Sequence, residues 1–154
     1  TGISNLFRHR FGRLVQAGLI SLSLILPQAV VPATAATSER AIYLYYTHTK
    51  ETARIVFKRN GQYVQDGLKQ LNYFLRDWRR NEMTKIDPEL LDLVWEVYQK
   101  VGASQPIHVV SSYRSPATNN MLRKRSSGVA KNSQHTLGKA MDFYIPGVKL
   151  SKLR

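Results

Sequence analysis

The sequence predicts an α+β domain with a mostly antiparallel sheet and flanking helices. Three observations carry that prediction. Two β-branched and aromatic runs, Arg40–Tyr46 and Ala53–Phe57, are separated only by the polar stretch Thr47–Thr52, the pattern of a hairpin. Two later stretches carry apolar residues at three- and four-residue steps, as one buried face of a helix requires. Two short apolar runs then flank a loop rich in Lys, Arg, Ser and Gly. The order hairpin, two helices, strand, helix, strand groups like elements instead of alternating them, which favours an antiparallel sheet over βαβ units.

Taken in order, the hairpin ends where Asn60-Gly61 breaks the alternation. From Val64 to Arg80, Leu68, Leu71, Leu75 and Trp78 form one helical stripe, which puts Trp78 in the core. A second helix opens at Asp87-Pro88, an N-cap followed by the residue best tolerated at the first helical position. It carries Leu91, Val94, Trp95 and Tyr98, with Trp95 again a core residue, and stops near Gly102. Ile107–Ser112 reads as a buried strand in which His108 is a satisfied core residue. The turn Arg114-Ser115-Pro116 leads into a short helix through Asn119 to Arg123, and Lys124–Ser133 reads as a loop. Gly138–Ile145 is the last strand, closed by Pro146-Gly147. No internal repeat is present.

The 154 residues leave room for one ordinary domain. Residues 1–36 read as an address. Arg8, Arg10 and Arg13 precede the apolar run Leu14–Leu26, Pro27 closes it, and Ala33-Thr34-Ala35 supplies the small residues of a cleavage site near 35/36. That is the layout of a secretory signal peptide. The run is shorter than the roughly 20 residues that span a bilayer, so membrane contact is expected only through this segment if it stays uncleaved. Residues 37–154 are then the exported domain, in the periplasm or cell envelope. The net charge of +13 includes only three positives from the address, and the rest suits a polyanion without saying which. Nucleic acid fits the charge but not export. With no cysteine present, thiolate metal sites and disulfides are excluded, and a metal has to sit on His, Asp or Glu.

The most informative stretch is Ser133–Asp142. His135 sits in a polar loop and Asp142 in an apolar strand, and seven residues along a regular strand send two side chains to opposite faces. They converge only if the chain turns between them, which Gly138 permits. An imidazole and a carboxylate brought together make a zinc pair. The alternative is a strand Asp satisfied by backbone amides or an arginine, since one His and one Asp at this spacing also arise by chance. Arg114, just past a buried strand, is placed to hold a substrate carboxylate or to stabilise the oxyanion formed when water attacks a peptide carbonyl. Its alternative is a surface arginine paired with an acid.

Ser112-Tyr-Arg-Ser-Pro-x-x-Asn119 followed by Ser133-x-His-x-x-Gly-x-Ala-x-Asp142 resembles the zinc D-Ala-D-Ala peptidase superfamily. His48-Thr49, Leu75-Arg-Asp-Trp-Arg79 and Asp87-Pro-Glu-Leu-Leu91 are similar to its murein endopeptidase K branch, and the match runs from about Arg40 to Leu150. The resemblance implies the D-Ala-D-Ala peptidase/hedgehog-like fold, Zn2+ held by His135 and Asp142, and Arg114 contacting substrate or transition state. It implies a hydrolase of peptidoglycan peptide cross-links, in that branch the bonds joining two diaminopimelate residues. It also implies a third ligand, a histidine in a later strand beyond Arg154, so residues 37–154 are expected to be an incomplete zinc peptidase domain with little activity alone. The alternative function is a non-catalytic cell-wall binding module that retains the peptidase cleft.

Overall fold

The computed structural model of the protein describes residues 38–153; the signal-like segment 1–36 lies outside them. The predicted hairpin forms as β1 (Glu39–Tyr46) and β2 (Thr52–Arg59), paired antiparallel. Alternation sends Ile42, Leu44, Tyr46, Ile55 and Phe57 to one face, where all five are buried. Asn60-Gly61, where the pattern breaks, is the turn into a two-residue strand β3 (Gln62–Tyr63). Both residues take positive φ, as tight hairpin turns demand.

Two helices cover the buried face. The first, α1 (Gln65–Phe74), lies so close to β2 that a Cβ at Gly67 would overlap the Val56 carbonyl oxygen. The second, α2 (Pro88–Lys100), starts as its residues dictate: Asp87 caps it by accepting from the Glu89 amide at 3.0 Å, with Pro88 at its first position. It buries Leu91 and Val94, while Trp95 packs against the core with the Arg40 guanidinium over its ring.

The first helix is shorter than its stripe. It stops at Phe74, and Leu75–Arg80 turns away, so Trp78 is not on a helix. Two buried polar residues account for the break. Arg76 donates to Asn81, Glu51 and the Tyr73 carbonyl, and Asp77 pairs its backbone with Glu82. Both would be stranded on a continuous helix, where the cost of burying an unpaired charge exceeds the gain from one more helical turn.

Next, β4 (Ile107–Ser111) pairs parallel with β1, and β5 (Asp142–Tyr144) pairs antiparallel with β4, giving the order β3-β2-β1-β4-β5. The sheet is therefore antiparallel except at its centre. Ile107 and Val109 join the core, whereas His108 faces outward between Tyr45 and Tyr144 and shares a 3.0 Å hydrogen bond with the Tyr144 hydroxyl. It is thus a satisfied strand histidine on the open face and not in the core. The third helix, α3 (Pro116–Arg125), follows β4. A single 3-10 turn, Gln134–Leu137, precedes β5, so the last strand is far shorter than the apolar run suggested. No helix among the described residues is long and apolar enough to cross a membrane.

Candidate metal centre

The site is assembled at the β4/β5 edge of the sheet, where β4 runs out and the chain must reverse. Ser133 caps the 3-10 turn with its hydroxyl, and Gly138 ends it at φ +68°. The left-handed conformation suits glycine, and the packing requires it too: a Cβ there would lie 2.6 Å from the Lys85 carbonyl oxygen. The Gly138 carbonyl in turn accepts from the Asp87 amide at 3.0 Å, tying the turn to the start of α2.

This turn brings His135 to Asp142, with Nε2 and Oδ2 3.3 Å apart. The ring is fixed from behind. Its Nδ1 donates to the Ser112 carbonyl at 2.7 Å, and its own carbonyl accepts from the Arg114 amide at 3.1 Å. Because a carbonyl can only accept, Nδ1 carries a proton, and Nε2 is the ring nitrogen left to offer a lone pair. The separation of 3.3 Å is long for a charge-assisted hydrogen bond. It lies at the short end of the roughly 3.3–3.6 Å between two ligands each about 2.0–2.2 Å from a tetrahedral zinc. An imidazole braced by a backbone carbonyl is also the usual outer support of a metal ligand. These donors therefore fit two corners of a zinc site; among the described residues no third His, Cys, Asp or Glu joins them.

Asp142 is not buried as the apolar run suggested. Its side chain keeps 57% exposure because β5 is a three-residue edge strand, and no backbone amide or arginine satisfies it among the described residues. At that exposure desolvation does not press the carboxylate to find a partner, and the case for the pair rests on geometry alone. His135, at 13% exposure, is the enclosed partner.

Arg114 lies two residues past the carbonyl that braces His135. Its Nη1 donates to Asn119 Oδ1 at 3.3 Å, and Nε is buried with no partner. No acid pairs with it among the described residues. Asn119 is itself held by the carbonyls of Ala130 and Lys131, so the guanidinium is steered by a neutral, fixed amide and keeps donors free.

Asp77 is the supporting residue that sequence reasoning missed. It is 1% exposed, and its carboxylate accepts from the Ser115 amide at 3.0 Å, the Ser115 hydroxyl at 2.7 Å and the Arg79 amide at 3.1 Å. Burial raises its pKa, but the hydroxyls of Thr118 and Ser115 and the two amides outweigh burial and hold it below the ordinary range. Ser115 uses the same hydroxyl to cap α3. The carboxylate thus locks the Leu75–Arg80 bend to the residue after Arg114. A carboxylate inside an apolar helical stripe was the available signal for it.

Comparison with known proteins makes the chain a peptidase. It belongs to the peptidoglycan L,D-endopeptidase MepK family, whose model matches residues 34–154. A peptidoglycan L,D-endopeptidase MepK of Escherichia coli is 40% identical over 143 residues, covering 92% of this chain and 79% of that protein, and one from Shigella flexneri matches equally. A probable peptidoglycan L,D-endopeptidase MepK of Haemophilus influenzae is 37% identical over 139 residues, covering 89% and 75%. No solved structure matches.

Proposed function

We propose that the protein is an exported, zinc-dependent endopeptidase that hydrolyses peptide cross-links of peptidoglycan, at the bonds joining two diaminopimelate residues. The observation that carries this is the His135/Asp142 pair at 3.3 Å with the imidazole tautomer set by Ser112, in a chain whose relatives bear the L,D-endopeptidase name. His135 and Asp142 are the residues that would hold the metal. Zinc, when bound, supplies a Lewis acid and a water-derived nucleophile usable near neutral pH.

The chain's own residues supply the rest. When the peptide bond breaks, a C–O bond to water forms, the C–N bond is lost and the departing amine takes a proton. Negative charge grows meanwhile on the carbonyl oxygen. Arg114 has a guanidinium held from one side by Asn119 and paired with no acid among the described residues, which equips it to meet that charge or a neighbouring substrate carboxylate. The Asp77–Ser115 contact keeps the residue after Arg114 from drifting. Residues 1–36 act as the export signal in this reading.

Digestion of purified cross-linked muropeptides by the full-length protein, with and without a chelator and read by mass spectrometry, tests it. Chelator-sensitive conversion of a dimer into monomers supports the proposal and identifies the bond. Intact dimers that co-sediment with the protein would replace it with a binding module.

A further inference from the structure

Beyond the first turn of α3 lies a recess of about 420 Å3 bordered by Trp78, Arg79, Arg80, Thr118, Met121 and Arg125. Its charge is uncompensated. Arg80 is paired with Glu82, but the guanidiniums of Arg79 and Arg125 form no ion pair among the described residues. Arg79 is nevertheless held in place: its guanidinium lies over the Trp78 ring, 4.3 Å from the centroid. Trp78 is stacked on His48 at 4.3 Å with an 18° tilt, and its Nε1 is buried with no acceptor. Trp78 packs against the core, where its N–H gains nothing, and its π face in addition orients a cation.

The recess is also rigidly tied to the site. The Arg79 amide donates to one oxygen of Asp77, and the Ser115 amide and hydroxyl donate to the other. A single carboxylate therefore fixes Arg79 relative to the backbone that carries Arg114, and Thr118, on the recess wall, precedes the Asn119 that steers Arg114. Two guanidiniums, one pre-oriented by an indole, form a receptor for a carboxylate.

We propose that the Arg79/Arg125 recess binds a carboxylate of the cross-linked peptide outside the reacting bond, as a second anchoring subsite beside Arg114. This rests on the peptidoglycan-peptide reading above. It predicts that the protein ranks substrates by free carboxylates lying away from the bond it cuts.

The test is isothermal titration of cross-linked muropeptides into the His135→Ala protein, which removes turnover, using one ligand with free carboxylates and its amidated counterpart. Amidation should weaken binding at least 10-fold, and in a protein that also carries R79Q and R125Q it should weaken binding little further. Both arginines are exposed, so the fold is expected to survive, which circular dichroism checks. Equal loss on amidation with and without the two arginines assigns the carboxylate to Arg114 and overturns the subsite, and so does equal affinity for both ligands. The binding comparison is independent of catalysis: carboxylate-dependent binding through Arg79 and Arg125, together with failure of the protein with His135 intact to cleave the same ligands, would retain the subsite and discard the peptidase mechanism.

Discussion

His135 Nε2 faces Asp142 Oδ2 at 3.3 Å across a turn that only Gly138 permits. Three features set that contact: the Ser112 carbonyl on the far side of the ring, the capping hydroxyl of Ser133 and the left-handed glycine. None of them is a metal ligand: the Ser112 carbonyl lies just past the end of β4, and Ser133 and Gly138 bracket the turn that leads into β5.

Gly138→Ala is expected to lose both stability and metal affinity. A left-handed alanine costs about 1–2 kcal/mol, and its methyl group must displace the Lys85 carbonyl, so a total of about 2–4 kcal/mol is expected. Urea midpoints give the first loss and zinc competition with a chelator dye the second. Unchanged midpoints would mean the turn is not under this constraint.

Arg114→Lys should reduce kcat/KM by about 100-fold or more, the loss typical of removing one oxyanion donor, with little change in Tm. An ammonium cannot reproduce the guanidinium fork that Asn119 orients. Activity near wild type would make Arg114 a surface residue, as its alternative reading had it.

Asp77→Ala leaves two amides and a hydroxyl at Ser115 and Arg79 without their acceptor. A loss of about 3 kcal/mol is expected from unsatisfied buried donors. Denaturation midpoints check it. A loss under about 1 kcal/mol would show that water or a rearranged bend replaces the carboxylate.

The same residue gives a pH dependence. Its folded pKa lies below the unfolded value near about 3.9. Its stabilisation is therefore fully present above the unfolded value and is lost as pH falls through the folded one. Urea midpoints of the wild type should drop more steeply than those of Asp77→Asn on going from about pH 5 to about pH 3. Parallel profiles would contradict the hydrogen-bonded carboxylate.

Much of this was legible in the residues. Alternation identified the hairpin and its buried face, and Asp87-Pro88 identified the start of α2. Gly138 marked the turn that makes His135 and Asp142 meet. Periodicity failed at Leu75–Arg80, because it counts apolar positions and cannot register that the buried Arg76 and Asp77 find partners in Glu51, Asn81 and Ser115, up to 38 positions away. It failed at Asp142 for a related reason. An apolar run predicts burial only if a neighbouring layer covers it, and β5 is a short edge strand. His108 is a satisfied strand histidine, as its run suggested, but which face it occupies depends on register with β1 and β5, and that is a non-local property.

Zinc binding by the full-length protein and its His135→Ala and Asp142→Ala variants tests the central claim most directly, by calorimetric titration with metal content confirmed by mass spectrometry. One zinc per wild-type chain is expected, with affinity lowered by more than about 100-fold in each variant, beyond the range for losing an outer-shell partner. Equal affinity in all three proteins would contradict the His135/Asp142 site and the mechanism built on it.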